Sequence, residues 1–577
     1  MEYLAYIAVI VVVIVCIFAY GKLEEKRSRA WFYKKRMQLF GQPSKKIYED
    51  NRFQTLKQSV EYHLKTDDKD GQAPFCVDDI TWNDLDMDRV FRCMDYTVSS
   101  SGEDALYRYL RFPAMDEESL LSRKKHMEYL AGHKEDCVRY QTLMSRVGKT
   151  GKYTVYQYLD FLDVVEGSSC IADWIADIGI LVFLVLGIFV KTIFILPAVF
   201  LMFYNGYTYF IKKNKIEPYF ESLSCFVRTL KAVDGMQDMP RPFQKEFDAE
   251  YSRILDLKKQ FDAFRRGSSL ALENTASTGA GDLSQLLMSY FKMIFHFDFI
   301  KFYSMLHIVK EKKHEMIALI ELSGEMEAQI SMVYFREYLP CYTIPEFWGE
   351  KNQKRYTATQ MYHPLIADPV KNDVDQKSCM LLTGSNASGK STFLKMVALN
   401  ALLAQSICTV CADFYQAAFY RIYSSMALRD SLSEGDSYFI VEIKSMKRIF
   451  DAVKASDIPV LCTIDEVLRG TNTAERIGAS TELLKALSKQ GVLCFAATHD
   501  IELTHLLDGD YDNYHFEEDV KDHDVLFSYH LMSGRAQSRN AIKLLEVIGF
   551  TQDITQKSQE MAECFIKTGK WEDSYVR

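Results

Sequence analysis

Residues 384–392 read Gly-Ser-Asn-Ala-Ser-Gly-Lys-Ser-Thr: a glycine, four residues, a second glycine, then Lys390 and two hydroxyls. That spacing suits a polyphosphate. Glycines let backbone N–H groups turn inward around phosphate oxygens, and a helix opening just behind adds partial positive charge. Gly384, Ser385, Asn386, Ala387, Ser388, Gly389 and Thr392 then line the loop, Lys390 reaches the terminal phosphates and the Ser391 hydroxyl ligates Mg²⁺. A second chemical group is Asp465-Glu466, two carboxylates closing the apolar run PVLCTID. Asp465 is expected to hold Mg²⁺, directly or through water, and Glu466 to polarise an attacking water. His499 ends a third apolar run and could sense the terminal phosphate or orient that water. The chemistry these residues could do is hydrolysis of ATP with Mg²⁺ as cofactor.

Three apolar segments must deliver these groups: Met380–Thr383, Pro459–Asp465 and Val492–Thr498, each of strand length. From about residue 350 onward such segments alternate with helical patterns, which predicts a mainly parallel α/β sheet. The 577-residue chain exceeds what one core supports, and 25% charged with 48% hydrophobic residues marks it as globular. A net charge of −9 excludes a protein coated in basic surface while leaving room for a local basic patch. The thirteen cysteines are scattered. Only Cys408 and Cys411 make a C-x-x-C pair, with no second pair or nearby His to complete a metal site, so unpaired buried thiols in a reducing cytosol are expected.

Residues 3–20 form an uncharged apolar run of bilayer-spanning length. Its acidic start and the positive charge after it favour a retained anchor over a cleaved signal. Residues 21–46 carry nine Lys or Arg against two Glu, which puts this side in the cytoplasm and the N-terminus outside. Lys34, Lys35 and Arg36 beside Trp31, Phe32 and Tyr33 suit anionic lipid. A second apolar block, 172–211, is long enough for two spans, with Lys191-Thr192 in the outer turn and Lys212, Lys213 and Lys215 closing it inside. Three spans in the cell (plasma) membrane would leave the nucleotide loop in the cytosol. Residues 286–335 read as one long amphipathic helix, because charges interrupt their apolar pattern. The expected fold is α + α/β. A membrane helix (1–20) leads into a basic helical linker (21–77) and a helical core (78–170). A transmembrane hairpin (171–215), a second lever or core part (216–345) and a P-loop ATPase domain (350–577) follow.

The segments TGSNASGKSTFLK (383–395), GDSYFIVEIKSMKRIF (435–450), IDEVLRGTNTAERIGAS (464–480) and ATHDIEL (497–503) resemble, in order and spacing, the ATPase domain of the MutS mismatch-repair family. That family reads TGPNMGGKST, then G-x-STF-x-x-E, then DE-x-GRGTST, then ATH. MYHPLI (361–366) and YHLMSGRAQSRNAI (529–542) are similar to it too, and DYTVSSSGEDALYRYL (95–110) resembles the start of its helical core. The resemblance implies an ATP hydrolase. It implies that Asn386 faces the nucleotide and that Ser437 reaches the γ-phosphate bound by a partner subunit. It further implies that Arg469, Gly470, Thr471, Asn472 and Thr473 couple sites across that interface, and that His499 is the ATH histidine. Each ATP site would then be composite, the active form a homodimer, and its helical clamp would act on mismatched, branched or duplex DNA in repair or recombination.

The departures shape this expectation. No mismatch-reading domain with a Phe-x-Glu wedge is found ahead of the helical core, and Val467-Leu468 replaces the family's Leu-Gly. Mismatch specificity is therefore not implied, and DNA contact would favour shape over a base code. Two other classes fit part of the pattern. One is an ATP-driven membrane scaffold for a protein partner. The other is an ABC-type transporter ATPase, whose LSGGQ signature is mimicked by LSEGD at 432–436; that mimic lies too close behind the phosphate loop, and three spans make a poor substrate pathway.

Overall fold

The computed structural model describes residues 2–48, 51–66, 74–150, 153–165, 170–265, 282–348, 354–385, 388–426, 438–455, 457–468, 471–489, 491–521, 524–536, 542, 545 and 548–568. Its contacts divide the chain into two compact units. One comprises Met1–Pro74, Arg92–Arg108 and Lys124–Tyr338, the other Phe75–Phe91, Tyr109–Arg123 and Leu339–Arg577.

The first unit is helical. Its opening helix, Glu2–Met37, carries the apolar run and the basic segment without a break. Arg36, which the sequence grouped with Lys34 and Lys35 as lipid-facing, is buried instead. Its Nε donates to Gln141 Oε1 at 2.8 Å, and its guanidinium lies 5.1 Å from the centroid of Tyr334, on which Phe40 also stacks. Further on, Ile171–Phe189 and Ile195–Asp234 pack against each other across a short turn containing Thr192–Phe194. Within this pair Ile171–Phe189 and Thr192–Lys213 are long and apolar enough to cross a membrane. Leu181, Val185, Ile188, Leu196, Phe200 and Phe203 are exposed there, whereas Leu223, Phe226, Leu230 and Val233, farther along the longer helix, are buried.

A polar knot ties this pair to the helices that follow. His296 faces Asp173 Oδ1 at 2.7 Å and the Asn205 carbonyl at 2.8 Å, and Asn205 Nδ2 donates to Asp177 at 3.1 Å. The knot also corrects the expectation of one helix over 286–335. The structure has three: Asp282–Phe295, Phe297–Glu311 and Lys313–Tyr338. His296 takes a left-handed φ of 44°, turning its ring into the knot and stopping the first helix. Partners about ninety or more residues away in sequence set that break, which periodicity within the segment does not register.

Charges around residues 95–104 are buried in pairs. Asp95 accepts from Lys46 at 2.6 Å, and Glu103 from Arg52 at 2.7 Å and Lys149 at 2.6 Å. Asp104 is buried beside them, and its Oδ1 has no hydrogen-bond partner among the described residues. Burial pushes its carboxyl up to about 6, with Arg52 opposing and Glu103 reinforcing. A carboxyl raised on folding favours the native state fully below its unfolded value near 3.8 and loses that contribution as pH rises through 6. Asp104→Asn should therefore gain about 2 kcal/mol over the parent between about pH 4 and pH 7.5. Unfolding midpoints in detergent read the difference; parallel pH curves would contradict it.

The second unit holds two sheets. The strands are β1 (Glu346–Phe347), β2 (Tyr356–Met361), β3 (Asn372–Gln376), β4 (Cys379–Thr383), β5 (Phe414–Ala417), β6 (Arg421–Ser425), β7 (Val460–Asp465), β8 (Val492–Ala497), β9 (Tyr511–Lys521) and β10 (Asp524–Ser533). Four form a sheet in the order β1-β5-β2-β3, and six form one in the order β10-β9-β4-β8-β7-β6. In the larger sheet all pairs are parallel except β9–β10. β4, β7 and β8 are buried at every position, which is why they read as unbroken apolar runs. Edge strand β6 is protected by side chains: Ser424 N donates to Thr81 Oγ1 at 3.1 Å and Met426 N to Asp84 Oδ2 at 3.0 Å. Cys408 and Cys411 are buried and are not joined in a disulfide.

Candidate functional site

β4 ends at Thr383, the chain turns through Gly384, and a long buried helix, Lys390–Ile407, begins. Gly384 has φ 148° and Gly389 φ 105°. A Cβ on Gly384 would stand 2.8 Å from Ser388 Oγ and 3.2 Å from the Phe516 carbonyl; one on Gly389 would stand 3.0 Å from the Tyr529 ring. Only glycine fits both the angles and the space. Gly384→Ala should cost about 1–3 kcal/mol of stability together with nucleotide affinity. Thermal unfolding and binding of a fluorescent ATP analogue check this, and parental values in both would contradict it.

Lys390 is buried, and its Nζ donates to the carbonyls of Gly384 at 2.8 Å and Ser385 at 2.7 Å, drawing the loop around the ammonium. Ser391 Oγ donates to Asp465 Oδ2, so the loop hydroxyl and the carboxylate ending β7 meet directly. Glu466 follows in a left-handed conformation, φ 62°, with its N–H fixed on the Ala497 carbonyl at 3.0 Å. Its Oε1 lies 2.8 Å from His499 Nε2, beyond the end of β8. Strand order β4-β8-β7 thus brings Lys390, Ser391, Asp465, Glu466 and His499 to one end of the sheet, around a cavity of about 740 Å³.

The far wall was not foreseen from the sequence. Ile366, Pro369, Val370 and Asn372 line it together with Tyr529. A bulge between Phe527 and Leu531 puts Tyr529 in a left-handed conformation, φ 53°. Asn372 holds the bulge from both sides, donating to the Tyr529 carbonyl at 3.0 Å and accepting from Leu531 N at 2.7 Å. Phe527-Ser528-Tyr529-His530-Leu531 alternates apolar and polar residues as an ordinary strand does, so the local pattern does not reveal where the ring goes. His363 braces this wall by accepting Leu365 N at 3.2 Å; burial and then Lys395 lower its pKa to about 4, so it serves as a neutral acceptor.

Asn386, Ala387, Ser437, Arg469, Gly470 and the LSEGD stretch lie outside the described residues. Asn472 caps the helix Thr473–Ser488 by accepting Glu475 N at 3.0 Å, and Thr471 Oγ1 bonds Glu475 at 3.0 Å. The residues present fit a polyphosphate with a divalent cation. The Ser388 hydroxyl is buried beside the loop without a partner among the described residues, an ammonium is enclosed by loop carbonyls, and a hydroxyl–carboxylate pair supplies hard oxygen donors.

Residues 380–565 match the family model for MutS domain V. The chain is 31% identical over 271 residues to the DNA mismatch repair protein MutS of Pseudothermotoga lettingae, covering 44% of this chain and 32% of that protein. It is 30% identical over 274 residues to MutS of Thermotoga sp. (strain RQ2), covering 45% and 33%. Against MutS of Thermus thermophilus it is 29% identical over 225 residues, covering 38% and 27%. The chain spans about a third or less of the length of these curated relatives.

Proposed function

From the premise that the chain belongs to the MutS family through its C-terminal part, we propose that it binds and hydrolyses ATP as a homodimer, anchored at the cell membrane, and uses the cycle to move a helical clamp on DNA. The observation that carries the hydrolase reading is the convergence of Lys390, Ser391, Asp465, Glu466 and His499 on one cavity at the ends of adjacent strands.

The triphosphate lies along the 384–392 loop, its charge met by backbone N–H groups, Lys390 and the N-terminus of the helix Lys390–Ile407. Ser391 and Asp465 would hold Mg²⁺, which would supply charge neutralisation to the polyphosphate. Glu466 polarises the attacking water, and His499 fixes the carboxylate through their 2.8 Å contact. The purine rests on the Tyr529 ring against Ile366, Pro369 and Val370. In that homodimer the contact with the γ-phosphate falls, by the family resemblance alone, to Ser437 of the second copy. The exposed apolar faces of Ile171–Phe189 and Thr192–Lys213 support insertion in a bilayer, with the run at 3–20 as a third span and residues 350–577 in the cytosol.

ATP turnover of the solubilised protein, with and without duplex, mismatched and branched DNA, tests the reading. Turnover stimulated by at least one DNA form is expected. Turnover without stimulation, and without DNA binding at low salt, would remove the DNA part alone; absence of turnover would remove the hydrolase.

A further inference from the structure

We propose that Arg476 and Asp500 form a positioning clamp for the Glu466–His499 pair; the inference rests on the hydrolase reading above and deepens it. Asp500 is the residue before the helix Ile501–Leu506, where an aspartate ordinarily accepts N–H groups of the first turn. It makes no such cap bond. Both of its carboxylate oxygens are turned onto Arg476 instead, Nε to Oδ2 at 3.0 Å and Nη2 to Oδ1 at 2.6 Å. A bidentate fork of this kind fixes orientation as well as distance.

What the fork orients is the residue next door. His499 lies between Thr498, whose N–H donates to the Leu382 carbonyl of β4 at 3.0 Å, and the clamped Asp500. Asp500 N also donates to Thr498 Oγ1 at 3.0 Å, closing the short loop on itself. The histidine is therefore held from the sheet on one side and from Arg476 on the other. Arg476 belongs to the helix Thr473–Ser488, and one turn later on the same face Ser480 Oγ donates to the Val467 carbonyl at 3.1 Å. Val467 directly follows Glu466. One helix thus grips the neighbour of each member of the pair, with Arg476 beside His499 and Ser480 beside Glu466. The same helix is capped by Asn472, so movement of the 471–473 loop passes to His499 through Arg476.

The Arg476–Asp500 pair is partly exposed, and pairs of that kind contribute little to folding stability. Its effect should appear in the chemical step. Steady-state turnover, fluorescent-ATP binding and thermal unfolding of the solubilised full chain are measured for the parent, Arg476→Gln, Asp500→Asn, the double variant and Arg476→Lys. Each single variant should lower kcat about tenfold, with nucleotide affinity within about twofold of the parent and the unfolding midpoint little changed. The double variant should be no slower than either single one, because one fork is lost in each case. Arg476→Lys, with the charge but not the fork, should recover only part of the rate. Parental kcat in both single variants, additive losses in the double variant, or full rescue by lysine would overturn the clamp. Should Arg476→Gln fold poorly, the isosteric Asp500→Asn reads the same effect. An inactive parent protein would overturn the hydrolase reading and the clamp together, whereas an active parent with unaffected variants would overturn the clamp alone.

Discussion

Lys390→Ala is expected to lower kcat for ATP by about a thousandfold while the protein still folds. Lys390 is 5% exposed and its ammonium sits among loop carbonyls, so its charge acts at short range in a site with little water to screen it. Charge developing on the transferred phosphoryl group is where such a cation contributes most. The fold does not depend on it. The helix it opens is anchored by Phe393, Leu394, Val397, Leu399 and Leu402, all buried, and the two carbonyls released can be solvated once the side chain is gone. Phosphate release and the thermal midpoint are read on the same preparation. Parental turnover would contradict the assigned role, and loss of the folded state would show that the side chain is structural.

Glu466→Ala should separate binding from cleavage. The expected result is kcat lower by about two to four orders of magnitude, with ATP retained and the dimer longer-lived. The backbone at this position is held by the hydrogen bond to Ala497, so truncating the side chain leaves the end of β7 in place. What disappears is the carboxylate that faces His499 at 2.8 Å. ATP remaining per chain after rapid desalting measures the trap. Turnover equal to the parent's would mean that water is activated elsewhere.

Much of the site's scaffold is legible in the sequence, for a physical reason. Strands expected at 380–383, 459–465 and 492–498 appear at Cys379–Thr383, Val460–Asp465 and Val492–Ala497, because burial of both faces demands an unbroken apolar run. Chemistry at strand ends follows from the same runs, so Lys390, Ser391, Asp465, Glu466 and His499 could be named before their convergence was visible. The turn near Lys191-Thr192 was legible too, since a charge between two apolar stretches marks where they part.

The misses have a common origin in partners distant along the chain. Arg36 looked like one more basic residue beside Lys34 and Lys35; Gln141 and Tyr334 bury it. His296 sits in a helical pattern until Asp173 and Asn205 turn it aside. Tyr529 reads as an ordinary strand aromatic, and only Asn372, far upstream, makes the bulge that aims it at the loop. Nothing local marks Thr81 and Asp84, which satisfy the edge of β6. Arg476 and Asp500 lie in stretches marked only by resemblance, 464–480 and 497–503, and their pairing exists only once the helix Thr473–Ser488 has packed beside β8.

The central claim, ATP held on the 384–392 loop between two copies of this chain, is tested most directly by native mass spectrometry of the solubilised Glu466→Ala protein in Mg²⁺ and ATP. The account predicts a dimer carrying nucleotide on each chain. A monomer free of nucleotide at saturating ATP would contradict it.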